Sequence, residues 1–373
     1  MKTAEELRKE HLERLKKAVA NEKTDRPPIT LNADAFLVQY GGGKVSDLVL
    51  NPEYGNECCI KGLQKLGDID CGGPGTYPPV MGAFAFAKMK VPGRDLADNM
   101  IWQIDELRPM TVEDYDVIID KGFNYYSMEF QKKYLPELEK EMEYWAPLAP
   151  KIAQMYKDAG YVTLSGDGDA PFTIAGGVFG GFMSARGSKA LLMDIRRIPD
   201  KVMAAMEVAY EESSKALREA VRKFKPLTVF TGAAGAGDFL SMKDFDKFIF
   251  PQFKNDVDII VEEGSNCYLH LDLCWDRFID HLLEFPKNRC VFGPDGTTDM
   301  FKAADKLYGH MAFYGDVHPA LLTLGTPDEV YAYCKKLMDR VGDKGLIMST
   351  GCSVPANAKP ENVEAVIAAA LGK

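Results

Sequence analysis

The sequence predicts an α/β fold, a (β/α)8 TIM barrel, on three observations. Short apolar runs recur along the chain, each followed by Gly, Asp, Asn or Pro, and helical stretches separate several of them. The runs number eight, at 28–32, 67–71, 172–178, 227–231, 267–272, 289–293, 311–315 and 346–350. Eight is the count that closes a parallel barrel.

Each element has its own signal. An N-terminal helix is predicted within 1–26, where Leu7, Leu12, Leu15 and Val19 recur between charges, and it stops before Asp25-Arg26-Pro27-Pro28. Between the second and third strands lies an insertion, 74–170, too long for a plain loop. Its front is rich in Gly, Pro, Met and Phe and its back, 115–161, is charged, aromatic and helical in pattern. It is read as a largely helical cap over the barrel mouth, with a surface excursion of no role as the alternative. Helices are predicted over 242–263, 275–283, 298–307, 326–341 and 360–371. No internal repeat divides residues 1–373, which are read as one domain.

Composition narrows the function. With 55 acidic and 45 basic side chains the net charge is −10, which disfavours phosphate backbones and anionic lipid, so neither a nucleic acid nor a membrane is an expected partner. No run of 18 apolar residues occurs and the first 25 residues are densely charged. The eight cysteines form no CxxC pair, and the expected compartment is the cytoplasm.

Polar residues just past parallel barrel strands converge on one mouth. Here they are Asn32 and Asp34, Asp70 and Cys71, Asp238, then His270, Asp272 and Cys274, and finally Asp295, Asp316 and Cys352. His270, Asp272 and Cys352 form a candidate zinc set, because imidazole, carboxylate and thiolate are the donors of catalytic zinc sites. The plain alternatives are an orienting histidine and a packed cysteine, and Cys274 competes with Asp272 for the third place. Asp238, Asp295 and Asp316 are candidate catalytic acids, or else turn carboxylates. Asn32 and Asp34, with Gly235 and Gly237 of the run Gly232–Asp238, are candidate substrate contacts. That run fits neither the dinucleotide fingerprint nor the P-loop, so its glycines are read as letting backbone approach a bulky ligand. No Gly-x-Ser-x-Gly is present, and no Ser or Cys has an obvious histidine nearby to activate it. Met81, Met89, Met100 and Met183, with Phe84, Phe86, Phe179 and Phe182, suggest an apolar lining near the cap, or core packing.

Several segments resemble one family. They are RLKKAVANEKTDRPPI at 14–29, LHLDLCWD at 269–276, FGPDGTTDMFKAADKLYGHMAFYGDV at 292–317, LLTLGTPDEVYAYC at 321–334 and MSTGCSVPANAKPENVEAV at 348–366. The chain resembles the uroporphyrinogen decarboxylase-like superfamily, and in particular its corrinoid-dependent methyltransferase branch. The resemblance implies a barrel holding zinc between a His-x-Cys after the fifth strand and a Gly-Cys after the eighth. His270 and Cys352 match, whereas Asp272 stands where the branch has Cys. A carboxylate in that place makes the ion a harder Lewis acid, better suited to an ether oxygen than to a thiolate. The activity implied is transfer of a methyl group from a small methylated substrate, such as a methyl ether, to the cob(I)alamin of a partner corrinoid protein. The partner is expected because the chain has no Asp-x-His-x-x-Gly loop: His318 follows Asp316 at that spacing, but Leu321 stands where the Gly is needed. The alternatives are a methylcobalamin:thiol methyltransferase, a uroporphyrinogen decarboxylase and a metal-free ligand-binding barrel. The decarboxylase branch carries Met-Arg-Gln-Ala-Gly-Arg near its start, while residues 29–36 here hold no Arg to grip carboxylates.

Overall fold

A computed structural model describes residues 2–166, 174–175, 177–232, 239–341 and 344–373. The first helix, α1 (Ala4–Val19), starts from Thr3, whose hydroxyl accepts from the Glu6 backbone N–H while the Glu6 carboxylate accepts from the Thr3 N–H. It is followed by α2 (Asp34–Tyr40), α3 (Asp47–Leu50) and α4 (Pro52–Leu66). A small antiparallel ribbon, β1 (Ala87–Lys90) with β2 (Gln103–Glu106), and three helices, Asp114–Lys121, Phe123–Tyr134 and Leu138–Asp158, fill the region of the predicted insertion.

The centre is a parallel sheet in sequence order: β3 (Ile174–Ala175), β4 (Thr228–Gly232), β5 (Asn266–Leu271), β6 (Cys290–Pro294), β7 (Ala312–Tyr314) and β8 (Leu346–Ile347). Sequential order with every pair parallel requires a crossover between each two strands, and helices supply it. Beyond β8 the pairing continues as single bridges, Met348 to Ile29, Thr30 to Cys71 and Cys71 to Val162. The Leu227 N–H then donates to Ser165 O at 2.7 Å.

Two apolar layers enclose the sheet, and the alternation of β5 shows both. Cys267, Leu269 and Leu271 are fully buried towards the outer helices, among them Phe250–Glu262 with Val257 and Ile260. Tyr268 faces the other way, into a cluster with Val291, Tyr314, Ile347, Cys71 and Val162 that Leu15, Ala18 and Val19 of α1 complete. The N-terminal helix is thereby part of the core. It is also held by charge: Asp70, fully buried, accepts from Arg14, from Arg26 Nη1 at 2.5 Å and from the Ile29 N–H at 2.8 Å. Asp70 therefore anchors α1 and the segment from Arg26 to Ile29.

Some expected boundaries move. Val178, expected as the last residue of a strand, instead opens a helix, Val178–Arg186. The chain also returns to the sheet at Val162, earlier than 170, because Gly160 at φ +91° stops the helix Leu138–Asp158 and turns the backbone onto Cys71. The helix expected over 242–263 is two, Met242–Phe248 and Phe250–Glu262, since Pro251 cannot continue a helix from the preceding turn but suits the start of the next. Among the described residues, no helix is long and apolar enough to cross a membrane.

Candidate functional site

The C-terminal ends of β5 and β8 bring His270, Asp272 and Cys352 together. On β5 the alternation that sends Leu269 and Leu271 outward puts Tyr268 and His270 on the opposite face. The residues paired with His270 on either side are Gly232 and Gly293, so its direct cross-strand partners carry no side chain. Phe230 and Tyr268 approach the ring at centroid distances of 5.2 and 6.1 Å, and Tyr268 Oη stands 3.4 Å from its Nδ1.

His270 Nε2 is 3.2 Å from Asp272 Oδ1, and the ring is also hydrogen-bonded to Cys352. Burial favours the neutral ring, but the hydrogen bonds and charges of Asp272 and Cys352 outweigh it and raise the His270 pKa to about 9. The same contacts act in reverse on the partners. The hydrogen bond from His270 is the main cause lowering both the Asp272 carboxyl and the Cys352 thiol. The site thus sets an imidazole of raised basicity between a carboxylate and a thiol of enhanced acidity. The sequence offered Cys352 no histidine nearby to activate it; the fold supplies His270, 82 positions earlier.

The loops that hold these groups are unusually constrained. Leu273 adopts a left-handed backbone, φ +67°, a costly conformation for a branched residue. Its N–H donates to Asp295 Oδ2 at 2.8 Å, its carbonyl accepts from Thr298 Oγ1, and the next turn is pinned by Trp275 Nε1 donating to Asp272 O at 2.9 Å. This turn keeps Asp272 beside His270 and carries Cys274 towards Lys302 instead. On the β8 side, Gly351 lies so close to the Asp295 carbonyl that a Cβ there would collide with it. Thr350 Oγ1 donates to the Cys352 carbonyl. Asp295 thus touches both loops, its second oxygen accepting from Thr297 N–H at 2.9 Å and from the Thr297 hydroxyl at 2.6 Å.

The remaining candidates divide. Asn32 Nδ2 donates to Ser353 Oγ at 2.8 Å and Asn32 O accepts from the Val354 N–H at 2.7 Å, so it positions the Cys352 loop. Asp34 opens α2 and accepts from the N–H of Ala35 at 2.7 Å and of Thr76 at 2.9 Å. Asp316 faces elsewhere: it is buried against the helix Pro327–Val341, accepting from Tyr333 Oη at 2.7 Å, and burial raises its pKa to about 6. Gly235, Gly237 and Asp238 lie outside the described residues. Of the suggested apolar lining, Phe86, Phe179 and Phe182 belong to the core and Phe84 is 75% exposed.

A cavity of about 290 Å³ lies beside the cluster, with Ser353 and Val354, directly after Cys352, in its wall. Asp34 lines it from the barrel side, Val45 and Leu48 from the segment around α3, and Pro78, Pro92, Ile101 and Trp102 from the insertion. Sequence reasoning missed these walls, apart from Asp34. Their one signal is a Pro- and Trp-punctuated stretch in which regular structure is confined to short pieces.

Among the described residues, no three His, Cys, Asp or Glu side chains stand as a preformed metal cluster. The donors of His270, Asp272 and Cys352 nevertheless fit zinc in kind, as nitrogen, oxygen and sulfur with a thiol already acidified.

Residues 129–371 match the family model described as uroporphyrinogen decarboxylase (URO-D). Among 23 matching solved chains is a methyltransferase from Methanosarcina mazei, with a TM-score of 0.65 and 14% identity, covering 100% of this chain and 99% of that one. At that identity the likeness is one of fold. No curated protein matches the sequence significantly.

Proposed function

The chain belongs to the uroporphyrinogen decarboxylase family, and from that premise we propose that it is a methyltransferase passing a methyl group from a small methyl ether to the cob(I)alamin of a partner corrinoid protein. The observation that carries this reading is the meeting of His270, Asp272 and Cys352 beside an apolar cavity. The bridges from Met348 through Thr30, Cys71 and Val162, with Leu227 donating to Ser165, support a closed eight-stranded barrel whose mouth holds that site.

His270, Asp272 and Cys352 would hold a zinc ion. When bound, zinc supplies Lewis-acid polarisation of the ether oxygen, making a poor leaving group a better one. The protein's own share is orientation and exclusion of water. Asp295 holds the Leu273 turn and abuts Gly351, fixing Asp272 and Cys352 in register, while Asn32 holds Ser353. The insertion walls of the cavity, Pro92 and Trp102 among them, shield the reacting methyl group. The cavity also speaks against the decarboxylase alternative. Among the described residues its lining carries no Lys or Arg, which a polycarboxylate would need.

The test is elemental analysis of the purified protein with Cys352→Ser and Asp272→Ala. About one zinc per chain, falling sharply in both variants, together with methylation of cob(I)alamin from a methyl ether, is the expected result. Protein that stays metal-free when zinc is supplied would overturn the zinc assignment.

A further inference from the structure

The cavity has a composition that narrows its occupant. Its volume of about 290 Å³ is roughly twice that of an apolar cavity known to take benzene, about 150 Å³, so it admits a single substituted ring. Its walls are mostly hydrocarbon, with the Trp102 indole as the one aromatic surface among the described lining residues. Its polar groups are Asp34, Thr76 and Ser353, and Asp34 is the single charge among those residues.

The Asp34 carboxylate is fixed. Oδ1 accepts from the Ala35 N–H and Oδ2 from the Thr76 N–H, which leaves each oxygen a further lone-pair direction and no donor of its own. An occupant that brings a hydroxyl or ammonium hydrogen satisfies that capacity. One that brings a carboxylate places like charges together at a half-buried site with no cation among the described lining residues to compensate.

We propose that the cavity takes a single-ring methyl ether bearing a hydrogen-bond donor, and that Asp34 is the specificity residue that turns carboxylate-bearing rings away. The inference rests on the methyltransferase reading for the identity of the ether, while the selectivity itself is a property of the cavity and is read by binding alone.

The experiment measures binding of 3-methoxybenzyl alcohol, 3-methoxybenzylamine and 3-methoxybenzoate to the purified full chain by titration calorimetry, without corrinoid or reductant. The alcohol, the ammonium or both should bind at least about tenfold more tightly than the benzoate, and the pair tells hydroxyl from ammonium recognition. In Asp34→Asn, which keeps an acceptor for the Thr76 N–H, that ratio should shrink to within about threefold. Trp102→Ala should weaken the preferred probe about tenfold while leaving the ratio intact, which covers the case in which Asp34→Asn fails to fold. Equal or tighter binding of the benzoate, an unchanged ratio in a folded Asp34→Asn, or no binding of any probe overturns the proposal. Selective binding without methyl transfer would instead retain the cavity's specificity and reject the activity.

Discussion

Asp295 is the residue on which the site's geometry converges, because one short side chain meets both loops that carry the cluster. Its oxygens accept from Leu273 and Thr297, and its carbonyl lies against Gly351. Asp295→Ala should release the left-handed Leu273, costing about 1–3 kcal/mol as the turn loses its acceptor. Bound zinc should fall with it, read by thermal melting and by metal content; a variant with unchanged metal and activity would show that Asp272 needs no such support. Asp316 makes a different prediction. Its folded pKa of about 6 lies above the ordinary 3.8 because of burial, so the folded state binds this proton more tightly than the unfolded one. The stability it contributes is complete below about pH 4 and is lost as pH rises through 6, amounting to up to about 3 kcal/mol. Asp316→Asn should therefore gain stability relative to the parent between pH 4.5 and 7.5, and a difference in melting that does not change with pH would refute the argument. His270, Asp272 and Cys352 were legible because imidazole, carboxylate and thiolate at strand ends are rare chemistry. The hydrogen bond from Tyr333 that occupies Asp316 was not, since it depends on a helix that sequence places without orienting.

At the scale of elements, α1 is a structural member of the sheet's inner layer. Leu15 is fully buried there, and Leu15→Ala should cost about 2–5 kcal/mol in chemical denaturation. Thr3→Ala, which removes only the cap, should cost about 1 kcal/mol. A cost below 1 kcal/mol at Leu15 would mean that α1 is not part of the core. The strands β4 to β8 stood out in the sequence since each is a short apolar run ended by a breaker. The return to the sheet at Val162 was hidden because Tyr161-Val162-Thr163-Leu164 follows a long helix and continues its apolar pattern. The break at Pro251 was visible and should have divided the helix expected there, as proline disrupts the preceding turn.

For the molecule as a whole, the insertion turns a general architecture into a particular container. The sheet and its helices position the cluster, but Pro78, Pro92, Ile101 and Trp102 close the cavity beside it. Those walls lie far apart from Asp34 and Ser353 in sequence and in irregular backbone, so no periodicity announces them. Trp102→Ala should therefore weaken ligand binding while leaving the melting temperature within a few degrees of the parent, a separation of function from stability that differential scanning calorimetry reads directly. The 81 residues between His270 and Cys352 carry a consequence in time as well as space. Cys352 joins His270 only when the last strand docks, so every partly folded form with β5 and β6 in place still lacks one of the three residues of its centre. Cobalt(II) supplied during refolding should show its thiolate absorbance only with the final phase, after helix and sheet signals have risen, making the metal a reporter of completion and not a seed of folding.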